Sequence, residues 1–335
     1  MNNNKSLKKE TGLSYRKMKD GIHTFLKEKS SAGIGLILTF SIISLMTDKF
    51  LTAENLLNVA RQASTNAIVA VGMTFVIITT GIDLSAGAVL ALVGTVVAGM
   101  IMSYGLPIPI AIAIALLIGL LIGVGKGLII STQKIPAFIV TLALMTVLRG
   151  MAFVYTTGRP IYVDIESFRM LGRGYIGPIP IPVILMVIVG VTGHWLLKKT
   201  SFGRHVYAVG GNEEAARLCG ININKTLVGV YAYAGLMTAL SGIILASRLS
   251  TGSPNAGEGA ELDAIAAVVL GGTSLMGGVG SIGGTFMGVA IIGIMNNGLN
   301  LMNVSSYNQM MIKGLVILLA VWVNNLKMKK SKKNV

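Results

Sequence analysis

The sequence predicts an all-α polytopic membrane protein, and three observations carry that expectation. Hydrophobic residues make up 53% of the 335 residues and charged residues only 12%. About ten long apolar blocks follow one another without strand-like alternation of polar and apolar positions. The 42 glycines fall largely inside those blocks, where they break or tightly pack helices.

Composition excludes a soluble domain. Such a domain carries about 25% charged residues because its surface faces water. Between Ser31 and Ile130 the only charged side chains are Asp48, Lys49, Glu54, Arg61, Asp83 and Lys126. Too few polar groups remain to clothe a water-facing surface. The net charge of +15 does not point to nucleic acid, since the basic residues flank apolar runs and form no polar stripe. Residues 1–29 hold eight Lys/Arg against Glu10, Asp20 and Glu28, and residues 326–335 hold five lysines and no acid. Such flanks belong beside anionic lipid headgroups on the cytoplasmic face. Cys219 is the only cysteine and excludes an internal disulfide. The first apolar run has no small-residue cleavage site and reads as a retained helix.

A basic arm comes first, over residues 1–30. Tyr15, Met18, Ile22, Phe25 and Leu26 recur at helical spacing among Arg16, Lys17, Lys19, Lys27 and Lys29. The pattern fits a short interfacial helix, and a plain basic tail fits as well because Gly21 interrupts it.

The spanning domain occupies residues 31–326, with candidate crossings at 32–47, 62–80, 86–104, 107–130, 136–156, 179–197, 227–247, 263–277, 283–302 and 308–325. A crossing needs roughly 20 apolar residues, and a backbone in lipid must satisfy its own hydrogen bonds, which calls for helices here and not a barrel. The eighth block is short and the ninth glycine-rich. Loop 198–226 carries five Lys/Arg against Glu213 and Glu214, so it belongs with the cytoplasmic amino terminus. Segment 248–262 suits the outside. Ten crossings bring the basic tail, 327–335, back to the cytoplasm.

Within the blocks, Gly119, Gly123 and Gly127 repeat every four residues and predict a close helix–helix seam. Gly81-Ile82-Asp83-Leu84-Ser85-Ala86-Gly87 interrupts an apolar stretch from Val69 to Met102, as a broken helix or tight turn would. Asp83 caps the next helix through the Ser85 or Ala86 amide, or it meets a passing solute; the two roles are compatible. A second junction, from Gly271 and Gly272 through Gly277 and Gly278 to Gly284, has too many glycines for continuous helix and predicts a turn between short spans. Asn296, Asn297 and Asn300 then set amides along the following block, as interhelical partners or as the lining of a polar path.

In the cytoplasmic loop, Glu213-Glu214-Ala215-Ala216-Arg217-Leu218-Cys219-Gly220 reads as a short helix. Asn212 is its N-cap, acids fill its first turn and Gly220 stops it. Held between two spans, it suits a lever for a cytosolic partner.

No catalytic constellation emerges. Gly123-Val124-Gly125-Lys126-Gly127 lacks the spacing and the Ser/Thr of a phosphate loop and sits in an apolar helix. His23, His194 and His205 are scattered, so no metal site and no cofactor are expected.

These features together resemble the permeases of bacterial ABC sugar importers of the ribose/xylose/galactoside type, and most closely its ribose branch. The resemblance runs over nearly everything after residue 50. It rests on Gly72-Met73-Thr74-Phe75-Val76, Gly81 to Ser85, Ala137 to Arg149, Gly271 to Gly278, Asn296 to Asn300, and Glu214-Ala215-Ala216 followed by Gly220. It implies an importer permease fold and a bacterial cytoplasmic-membrane location. It also implies a second permease copy or related permease, cytoplasmic ATPase subunits that engage the Glu214–Gly220 loop, and an extracytoplasmic binding protein that delivers a monosaccharide. ATP hydrolysis would then belong to the partner.

Overall fold

The computed structural model describes residues 32–333. The amino-terminal arm, with its expected interfacial helix, lies outside them. The described chain is helical, with α1 at Ala32–Met46, α2 at Ala53–Ile78, α3 at Ala86–Met102, α4 at Ile108–Gln133 and α5 at Ala137–Thr156. After these come α6 (Glu166–Arg173), α7 (Ile181–Lys199), α8 (Ser201–Gly211) and α9 (Glu213–Leu218). The last four are α10 (Ile223–Leu249), α11 (Ala260–Leu270), α12 (Ile282–Leu301) and α13 (Ser306–Lys333). Four two-residue strands pin loops, with β1 (Ile161–Tyr162) antiparallel to β4 (Thr251–Gly252) and β2 (Tyr175–Ile176) antiparallel to β3 (Ile179–Pro180).

Each of the ten expected crossings falls on a helix, but among the described residues six helices are long and apolar enough to cross a bilayer: α2, α4, α5, α7, α10 and α12. The eighth departs most from expectation. Its helix, α11, spans Ala260–Leu270, and residues 271–277 belong to a turn. Eleven residues rise about 16 Å at 1.5 Å each, half of a hydrocarbon core about 30 Å thick. The glycines that follow are responsible. Gly272, Gly277 and Gly278 take φ of +88°, +79° and +72°, a region that L side chains avoid. The loop 198–226 also departs from expectation, because α8 occupies most of its first half.

Burial separates an inner layer from an outer one. The apolar window of α2 is 83% buried, against 22% for α4 and for α5. α2, α3 and α10 form the centre, while α4, α5 and α7 turn large apolar side chains such as Leu117, Leu121, Val154 and Val191 outward. In lipid those side chains face a solvent as apolar as themselves.

Contacts between the helices set their directions. Ser241 Oγ donates to Thr65 O at 2.9 Å, and Gly72 packs on Ala234, so α2 and α10 run antiparallel. α3 runs parallel to α10, with Leu90 beside Gly242 and Gly94 beside Ala246. α11 and α12 are antiparallel, with Gly271 against Gly284 and Ala267 against Gly288. α3 therefore starts part-way down the bundle and runs back toward the end where α2 began. α11 starts part-way and runs toward the other end, where α2 finishes.

The seam expected on α4 is present. A Cβ at Gly127 would lie 2.6 Å from Val228 Cα, and one at Gly123 would lie 2.9 Å from Ala232 Cα. α4 thus rests backbone to backbone on α10.

Candidate functional site

The break between α2 and α3 holds a buried ionic knot. α2 ends at Ile78 with Thr79 as its C-cap, Thr80 takes φ of +62°, and the chain turns through Gly81. Asp83 Oδ1 accepts the Ser85 amide at 3.0 Å and the Ser85 hydroxyl at 2.6 Å. Its Oδ2 accepts from Lys126 Nζ on α4, which also donates to Ser85 Oγ at 3.0 Å. Asp83 and Lys126 are each 1% exposed. Paired charges with every oxygen satisfied are the form in which ions persist in a low-dielectric interior. The Thr141 hydroxyl ties the turn to α5 by donating to Ile82 O at 3.0 Å.

Lys126 was missed by sequence reasoning, which weighed it only as part of a failed phosphate loop. A usable signal existed. It is the only charged side chain in α4, and Asp83 lies in the neighbouring apolar stretch. Each makes the other affordable only if they meet.

At the same carboxyl end of α2 the glycine junction meets the α8–α9 segment. Gly278 N–H donates to Ile78 O at 2.9 Å, capping a free carbonyl at the end of α2. Gly210 packs against that same carbonyl and against Gly278, with no room for a side chain. Tyr207 on α8 donates its hydroxyl to Gly280 O at 2.7 Å. Burial pushes the Tyr207 phenol above its usual range and keeps it protonated as a donor.

α9 follows immediately. Asn212 Oδ1 accepts the Ala215 amide at 2.9 Å, as its N-cap position requires. Arg217 pairs with Glu213 at 3.0 Å and Glu214 at 3.7 Å on the exposed face. Ala216 alone is buried, set among Val209, Ile221, Ile223 and Leu227. Ile221 N–H closes the helix on Ala216 O at 3.0 Å, and Gly220 sits at φ +81° with open space around it. α9 is therefore a surface ridge with one apolar foot. A cavity of about 430 Å³ separates its Glu213–Arg217 face from the Thr79–Ile82 turn, with Tyr231 and Lys134 on its walls.

The three asparagines of α12 part company. Asn297 exchanges two hydrogen bonds with Asn55 of α2, at 2.8 and 3.0 Å. Asn300 accepts from Gln309 Nε2 at 2.9 Å. Asn296 instead lines a second cavity, about 190 Å³, between α2, α10, α12 and the start of α11. The structure thus joins Gly277 and Gly278 to Gly210 and Gly211, just ahead of the segment carrying Glu213, Glu214, Ala215, Ala216 and Gly220, while Gly271 packs on Gly284 of α12 and Gly272 meets open space. It leaves Asp83 and Ser85 in a closed knot on α4. Asn296 lies toward the opposite end of the bundle. Among the described residues no cluster of three or more His, Cys, Asp or Glu could hold a metal.

Comparison with known proteins matches this sequence to transport permeases. A family model described as "Branched-chain amino acid transport system / permease component" covers residues 55–321. A ribose import permease of Haemophilus influenzae is 51% identical over 91% of this chain and 95% of its own. One of Bacillus subtilis is 51% identical over 90% of this chain and 94% of its own. A xylose transport permease of Escherichia coli is 36% identical over 82% and 86%. No solved structure matches. With its broken helices, its apolar outer layer and that model's match over residues 55–321, the chain belongs to this family of transport-system permease components.

Proposed function

We propose that this chain is the membrane-spanning subunit of an ATP-driven importer carrying ribose or a closely similar monosaccharide. The observation that carries the reading is 51% identity to a ribose import permease across 91% of the chain. The partners are cytoplasmic ATPase subunits, an extracytoplasmic sugar-binding protein and a second permease, either a copy of this chain or a relative. Both termini and the 198–226 segment face the cytoplasm, and loop 250–258 faces out. The location is the bacterial cytoplasmic membrane.

The α9 ridge is the ATPase contact. A push on α9 acts within one residue of Gly211, and Gly210 and Gly278 both bear on the last turn of α2. Ile78 O is thus a common anchor for the coupling segment and the glycine junction. ATP biases this element from one side and the loaded binding protein from the other, which is what alternating access requires.

The test is copurification and ATP hydrolysis in the assembled complex. Gly220→Val forces a β-branched residue into left-handed backbone, a strain of about 1–2 kcal/mol, while open space surrounds the position. Combined with Glu214→Ala it should release the ATPase from a permease that still inserts. Normal sugar-stimulated hydrolysis in that variant would overturn the lever.

A second reading, a secondary transporter without an ATPase, draws on one observation, the intramembrane Asp83–Lys126 pair. Both groups are already satisfied by each other and Ser85, which disfavours a cycling proton or ion. ATPase-free sugar uptake by proteoliposomes would reverse the ranking.

A further inference from the structure

The 190 Å³ cavity lies where α11 begins part-way through the bundle. Gly257 and Gly259, at φ +68° and +78°, turn the chain back into the protein there, and the shortened helix leaves the space. Non-helical backbone at such depth persists where it is buried in protein or lines a water-filled cavity, and broken helices at mid-depth are where transporters hold solutes.

The lining is unlike the rest of the interior. Asn66 from α2, Arg248 from α10, Glu258 from the loop, Asp263 from α11 and Asn296 from α12 converge on one small volume. Arg248 Nη1 and Asn296 Oδ1 are buried without a hydrogen-bond partner. Native interiors leave few such atoms unpaired, so two on residues of one lining mark a polar wall whose hydrogen bonding is incomplete. The lining carries Arg248 against Glu258 and Asp263, and Lys313 reaches Asp263 from outside the lining at 3.0 Å. With Lys313 counted, two positive charges meet two negative ones, which favours a neutral solute over an ion. Its volume lies below the roughly 300–1,000 Å³ of drug-sized sites, which suits one small ring and not an oligosaccharide. Leu90 and Leu245 supply an apolar wall against which a sugar ring face can rest.

We infer that this cavity, with Asn66, Arg248, Glu258 and Asn296 as its hydrogen-bonding groups, is the monosaccharide site within the membrane domain. The inference rests on the proposed import function and assigns its location. The Asp83–Lys126 knot and the cavity beside α9 are then not sugar contacts. Amides take a sugar hydroxyl as donor and acceptor together, and Arg248 and Glu258 supply one charge-assisted partner each.

The experiment uses the complete complex, with ATPase and binding protein, in proteoliposomes. Asn296→Leu preserves bulk and removes both hydrogen-bonding atoms. Ribose uptake should fall at least tenfold, while the amount of assembled complex recovered from the membrane stays within about twofold. Asn66→Cys in a Cys219→Ser background gives a second readout that does not depend on Asn296. A small thiol reagent should modify it, and ribose at saturating binding protein should slow the modification several-fold. Unchanged uptake in Asn296→Leu, or no protection of Asn66→Cys in a complex that imports ribose, overturns the site and leaves the import function standing. A parent complex that moves no sugar overturns the function and the site with it.

Discussion

Asp83 and Lys126 show how two residues with poor individual prospects become compatible. Each alone would be an unpaired charge in an apolar interior; together with Ser85 they form a closed set of hydrogen bonds. Removing one partner of a buried pair costs about 3–5 kcal/mol because the other stays charged and unpaired. Asp83→Asn should therefore lower the thermal midpoint of the detergent-solubilised protein sharply. Asp83→Asn with Lys126→Met should recover much of the loss. The outcome that would sink this account is a variant with parental stability and a changed sugar preference, which would make Asp83 a solute contact.

At the scale of the element, α4 contains its own control. Gly123 and Gly127 face α10 with backbone atoms as their neighbours, whereas Gly125 has nothing within 4 Å. Backbone cannot rotate aside as a side chain can, so Gly127→Ala must move α4 off α10. Overpacking of this kind costs about 1–3 kcal/mol. Gly125→Ala meets open space and gains about 0.5–1 kcal/mol of helix propensity. Thermal unfolding in detergent should order the variants Gly125→Ala, parent, Gly127→Ala. Equal midpoints for the two alanine variants would mean that the α4–α10 seam does not support the fold.

Across the whole molecule, α10 separates the coupling segment from loop 250–258. Its 27 residues rise about 40 Å, enough to cross the apolar core with its ends in water. Cys219, exposed and the only cysteine of the chain, gives a direct test of sidedness. A membrane-impermeant maleimide should leave it untouched in spheroplasts and label it in inverted vesicles. Ser253→Cys in a Cys219→Ser background should behave in the opposite way. Labelling of both from one side would remove the topology, and with it the ATPase contact at α9.

Much of this organisation was legible in the linear chain because lipid imposes a coarse, local rule. Long apolar blocks must be helices. The α9 helix was readable because Asn212 and Gly220 cap it through contacts within a few residues. The Gly119, Gly123 and Gly127 seam was readable as a repeat, but α10 as its partner was not. Length alone misjudged the eighth crossing, since a short apolar block does not reveal whether it spans or stops half-way beside a cavity. The three asparagines of α12 are alike in sequence, and only packing sends Asn297 to Asn55, Asn300 to Gln309 and Asn296 to a cavity. Asp83 and Lys126 stand 43 positions apart, and the sequence marks them only as isolated charges in neighbouring apolar stretches. What the sequence determined by itself was whatever depends on solvent and near neighbours. What only the tertiary structure decided was which distant polar groups meet, because in an apolar medium that choice is made by helix contacts and not by hydropathy.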